Sequence, residues 1–138
     1  MSSLATYVDV TSLLARYWSA VEQFRYEDAL AMLTDDVEYR LGHGATGRSA
    51  VSALLDKRPR TLTVRHLITG FVFEPVGDSL HVSYTQAAFG RVAEKDEKPP
   101  FPTGAPSSIA DMKVTMVRDG DGLRISRVAA NLVFQQPR

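Results

Sequence analysis

Residues 16–33 read RYWSAVEQFRYEDALAML. Together with the residues just before them they place Val10, Leu13, Leu14, Tyr17, Trp18, Val21 and Phe24 at three- and four-residue steps, which predicts a helix over Val10–Phe24 with one buried stripe. Asp9 or Thr11 can cap its start. The acidic and aliphatic run that follows predicts a short second helix, Tyr26–Leu33, after which Thr34, Asp35 and Asp36 turn the chain into a brief strand, Val37–Leu41. Gly42, Gly44 and Gly47 read as a flexible loop. Ala50, Val51, Leu54 and Leu55 then return to helical spacing, predicting a third helix over Ser49–Lys57 that Pro59 terminates.

Beyond Pro59 the character changes. β-Branched and aromatic residues dominate Leu62–Phe73, Leu80–Val92, Ala110–Val117 and Leu123–Phe134, each long enough for a strand. Pro75, Gly77 and Asp78 mark one turn and Asp119, Gly120, Asp121 and Gly122 another, so the strands flanking each turn pair as antiparallel hairpins. The stretch Ala93–Ser108 carries four prolines and five charges, a composition no central strand tolerates, and reads as a mobile flap. Helices first and an antiparallel meander afterwards predict α+β architecture, with the helices on one face of the sheet. Apolar residues of both parities in Leu62–Phe73 and Leu123–Phe134 imply that the second face is also covered, and a homodimer is the economical way to cover it.

The chain has 138 residues, the size of one domain. Sixteen basic and sixteen acidic side chains balance and are dispersed, which argues against a nucleic-acid partner. There is no cysteine, and the three histidines, His43, His66 and His81, lack the spacing of helical metal ligands, so no metal and no cofactor is expected. No apolar run approaches a membrane span and the start MSSLATYVDV does not read as a leader, so a cytoplasmic location is expected. The partner that remains is a small hydrophobic molecule.

Of the candidate side chains His66 stands out, because it lies in the apolar run Val64–Ile68, where an imidazole is buried without penalty only if one nitrogen is held. It reads either as a general base or as a core histidine bonded to a carbonyl. Glu22 follows Trp18 by one helical turn at the edge of the apolar stripe, either orienting a base from the helix flank or pairing at the surface with Arg25. Tyr39 and Tyr84 lie on strands and can offer a phenol to a ligand carbonyl. Trp18, Phe71, Phe89 and Met112 are candidates for the wall of an apolar pocket, with core packing as the alternative. Ser19 and Ser83 have no basic partner at fixed spacing, and GHGATG, residues 42–47, lacks the lysine of a phosphate-binding loop.

Four stretches in order carry a resemblance: residues 16–33 themselves; DDVEYRLG (35–42) with GRSAVSALL (47–55); TVRHLITGFVFEP (63–75); and RDGDGLRISRV (118–128). They resemble the helix pair, first strand and third helix, pocket strand and closing hairpin of the SnoaL-like, scytalone-dehydratase-like branch of the nuclear-transport-factor-2-like (NTF2-like) superfamily. The resemblance implies a cone of helices packed on a curved sheet around a pocket. It implies that Glu22 corresponds to an aspartate orienting a catalytic histidine, His66 to that histidine, and Tyr39 to a tyrosine that polarises the substrate. The dehydratase-like members also carry a second histidine and an asparagine, and those places fall here on Gly90 and Met112. The implied activity is a metal-independent lyase, isomerase or cyclase acting on a hydrophobic cyclic carbonyl compound, polyketide- or steroid-like; the alternative is a binding or assembly module of the same fold.

Overall fold

The computed structural model describes residues 3–120 and 122–137. Three helices and six strands follow one another as α1 (Ser3–Glu22), α2 (Tyr26–Ala31), β1 (Leu33–Arg40), β2 (Ala45–Thr46), α3 (Arg48–Asp56), β3 (Leu62–Val76), β4 (Ser79–Val92), β5 (Ser108–Asp119) and β6 (Gly122–Gln135). The sheet order is β2-β1-β6-β5-β4-β3. All neighbours are antiparallel except β1 and β6, which run parallel because the chain leaves β1 for α3 and the meander before it returns. This is the α+β, NTF2-like cone expected of the sequence.

The boundaries differ where propensity and packing compete. α1 begins well before Val10, so Asp9 and Thr11 lie inside it, and the Thr11 hydroxyl donates back to the Tyr7 carbonyl (2.7 Å) instead of capping. α2 stops at Ala31 and β1 starts at Leu33, because Leu33 pairs with Ile125 and is fully buried there. Pro75 stays within β3 opposite Leu80; β3 is the last strand of the sheet, where a missing N–H costs no ladder bond. Part of the glycine loop is ordered as β2, which pairs Thr46 and Ala45 with Glu38 and Tyr39.

Register defines two faces. The inner one carries rows such as Phe73, Val82, Val114 and Val128, with Tyr39 beside Val128, and α1 packs its stripe of Val10, Leu13, Leu14, Tyr17 and Val21 against it. Leu14 and Met112 are fully buried, each contributing about 1.5–3 kcal/mol through apolar burial. The outer face holds the alternate residues, Arg65, Leu67, Thr85, Ala87, Phe89, Asp111 and Lys113 among them. Among the described residues no helix is long and apolar enough to cross a membrane.

Candidate functional site

The end of α1 sets the site. Phe24 takes a left-handed conformation (φ 60°), letting the Arg25 N–H reach the Ala20 carbonyl (2.8 Å) and the Phe24 N–H reach that of Val21 (3.3 Å), the paired bonds of a Schellman end. A non-glycine residue there is strained. The guanidinium groups of Arg60 (4.8 Å) and Arg58 (5.6 Å) over its ring hold it in place. Closing the helix at this point aims Glu22, in the last turn, at β3.

Glu22 reaches His66 through a single oxygen. Oε2 accepts the His66 backbone N–H (2.6 Å) and the ring Nδ1–H (3.0 Å), and the two side chains are only 12% and 10% exposed. Arg25 instead pairs with Asp28 at 3.0 Å on the surface. With Nδ1 protonated toward the carboxylate, Nε2 carries the lone pair and has no protein partner among the described residues. Burial pushes the His66 pKa down, and the hydrogen bond and charge of Glu22 pull it partly back up; the charge of Arg58 pushes it down as well. The ring is therefore neutral at pH 7. Trp18 lies against it, ring centres 4.6 Å apart.

His66 and Trp18 open onto a cavity of about 220 Å³ between α1, α3 and the inner sheet face. Val21, Leu41, Leu54 and Leu55 make its apolar wall, and Tyr39 and Arg58 are its other polar members. The Tyr39 hydroxyl has no hydrogen-bond partner among the described residues, and burial pushes its pKa above the usual phenol range, so it is a neutral donor throughout the physiological range.

The other expected wall residues are placed differently. Tyr84 and Phe71 stand behind Trp18 rather than on the cavity surface: the Trp18 indole N–H donates to the Tyr84 hydroxyl (3.0 Å), and Phe71 packs against Tyr84 at 5.6 Å. Burial pushes the Tyr84 pKa up to about 12. Met112 lies opposite Tyr84 in the core. Phe89 is not in the cavity at all. It pairs with Arg65, one residue out of phase with His66, and so faces the outer side, where it lines a separate recess of about 340 Å³ with Arg65, Phe101 and Thr103. The second half of the segment 93–107, from Phe101 on, lines that outer recess, and none of the segment lines the cavity of His66. It is tied down by Arg91 to Glu97 (2.6 and 2.9 Å) and by the Gly90 N–H to the Ser107 hydroxyl (3.1 Å).

Two polar residues of this region escaped the sequence reading. Arg58 sits just past α3, and only the folded chain brings it to the end of α1. Gln86 faces inward two residues after Tyr84, is 8% exposed, and has a buried carbonyl oxygen without a partner among the described residues. Its place in the Tyr84 parity was the available signal. No cluster of three potential metal-ligating side chains occurs among the described residues.

The sequence profile of the SnoaL-like domain matches residues 2–129. The chain belongs to the SnoaL-like domain family. Solved structures agree in fold. The SnoaL-like chain superposes on ActVI-ORFA from Streptomyces coelicolor with a TM-score of 0.77 and 19% identity, covering 94% of this chain and 98% of that one. It superposes on a protein from Catenulispora acidiphila in complex with S-DNPA with a TM-score of 0.80 and 18% identity, covering 94% and 95%. An NTF2-like protein from Cytophaga hutchinsonii gives a TM-score of 0.71 at 12% identity, covering 96% and 100%. No protein of curated function is recognisably similar in sequence.

Proposed function

We propose that this SnoaL-like chain is a cofactor-independent lyase, isomerase or cyclase that works by proton abstraction on a small, hydrophobic, cyclic carbonyl compound, polyketide- or steroid-like. The observation that carries this reading is the 3.0 Å contact between the Glu22 carboxylate and His66 Nδ1, which leaves Nε2 as a neutral base beside an apolar cavity. A core histidine satisfied by a carbonyl would not need a buried acid. His66 Nε2 takes the proton α to the substrate carbonyl, Glu22 holds the ring and stabilises the imidazolium, and the Tyr39 phenol donates to the developing enolate oxygen. The proton then returns at another carbon, or leaves with a β-hydroxyl as water, or the enolate carbon attacks a second carbonyl whose oxygen, as its π bond opens, takes the proton back from His66. Complexation of S-DNPA by the Catenulispora relative supports ligand capture in this fold.

The test is a double-mutant cycle on turnover with binding measured in parallel. His66→Gln is expected to reduce turnover by roughly 10²- to 10⁴-fold with little change in affinity, and Glu22→Gln added to it is expected to cost little more. Additive losses, or a fully active Glu22→Gln protein, overturn the dyad. The absence of the second histidine and the asparagine, at Gly90 and Met112, favours the alternative of a ligand-binding module, and full affinity without turnover in the wild type would establish it.

The same reading includes a homodimer through the outer face. Register sets Leu67, Ala87, Ile109 and Phe134 in one apolar row across four strands, with Leu67 59% and Phe134 65% exposed. Sedimentation is expected to show a dimer that Leu67→Glu dissociates; a wild-type monomer at micromolar concentration removes this assignment.

A further inference from the structure

We propose that the molecule held in the His66 cavity carries a full negative charge, a carboxylate or an ionised phenol, and that Arg58 is its counter-ion. This deepens the catalytic reading and rests on it. Arg58 lines the cavity together with His66 and Tyr39. Its NH1 donates to the Val21 carbonyl (2.7 Å) and to the Tyr26 hydroxyl (3.1 Å), both neutral acceptors, and among the described residues it forms no ion pair. The acid in reach of the cavity, Glu22, is already committed through Oε2 to His66.

Capping α1 explains NH1 but not the rest of the fork. The two bonds occupy one nitrogen, and the guanidinium keeps further donors on Nε and NH2 that no described residue uses. The guanidinium also lies over the Phe24 ring at 5.6 Å, a contact that uses its face and leaves the Nε and NH2 donors open to an anion. Its charge also reaches the two groups assigned to the chemistry, adding to the downward push of burial at His66 and working against the upward push of burial at Tyr39. An anion seated on Arg58 screens that charge. It also anchors a ring in the cavity that Trp18 lines, a carboxylate through two oxygens and a phenolate through one, in charge-assisted bonds stronger than those a neutral ketone accepts.

The experiment compares naphthalene-2-carboxylate with its isosteric amide at pH 7 by calorimetry, with the His66 ring resonances as a reporter of site. The carboxylate is expected to bind roughly tenfold to a hundredfold more tightly, the scale of a charge-assisted hydrogen bond. Arg58→Met should abolish that preference, Arg58→Lys should retain part of it, and His66→Gln should retain all of it. Because Arg58 also holds the end of α1, the lysine variant and the wild-type preference decide the matter if Arg58→Met does not fold. Equal binding of acid and amide with His66 perturbed, or a preference that survives in folded Arg58→Met, overturns the charge assignment and leaves the cavity reading standing. If neither probe perturbs His66, both fall.

Discussion

His66 and Arg65 are neighbours in sequence and stand on opposite sides of one strand, each opening onto its own recess. The inner recess is small, apolar and built by helix against sheet; a carboxylate from α1 fixes its histidine. The outer one is larger, and it is lined by Phe101–Ala105 and Ser107 of an irregular segment rather than by a helix. A base needs a fixed tautomer and a shifted pKa, and both come from burial against α1. Among the described residues the outer face offers its arginine only a backbone carbonyl, at 2.8 Å, so proximity to a cavity is not by itself chemistry.

The contrast breaks most directly in turnover. His66→Gln should lose the roughly 10²- to 10⁴-fold already stated, whereas Phe89→Ala should leave kcat/KM unchanged because its ring is on the other face. A comparable loss in Phe89→Ala would merge the two recesses into one functional unit. Stability divides the faces next: Leu14→Ala, inside the helix–sheet layer, should cost about 2–5 kcal/mol in urea unfolding. Arg65→Ala should stay within about 0.5 kcal/mol.

Titration gives a smaller effect with a definite sign. Burial holds the folded His66 pKa below the usual 6.5, so below that pH the unfolded chain binds more protons than the folded one. The contribution to stability is full above the unfolded value and is lost as pH falls through the folded value. NMR should place the His66 midpoint below 6.5, and Glu22→Gln should move it lower still, since Glu22 raises it. An upward move in that variant would contradict the geometry. The smallest expected difference is in proteolysis: trypsin should cut first at Lys95 or Lys98, both exposed outside the sheet, and not within β3.

The helix pair, the four long strands and the two hairpin turns were legible because periodicity and turn chemistry are local. So was the pairing of Glu22 with His66, but only through the family resemblance, since 44 residues separate them and no spacing rule links a helix end to a strand. Phe89 was misplaced although the signal was present: it and Tyr84 have opposite parity on β4, and an unbulged strand cannot turn both inward. The prolines marked 93–107 as a stretch outside the strands, but composition does not say which side of a sheet a crossing segment covers. Arg58 had no local signal, because its partners, Val21 and Tyr26, are supplied by α1 and by the start of α2.

Trp18 is the chain's one tryptophan, and it touches both the imidazole of His66 and the hydroxyl of Tyr84. The protein therefore contains its own fluorophore at the place where its chemistry is assigned. An imidazolium quenches an adjacent indole by accepting an electron from its excited state, whereas a neutral imidazole does so poorly. Emission at a single wavelength should thus follow the protonation of one side chain, dim on acidification and recover with pH, in unlabelled wild-type protein. Added compounds can be scored by the same light, since anything entering the cavity changes the polarity around that indole before any product is known.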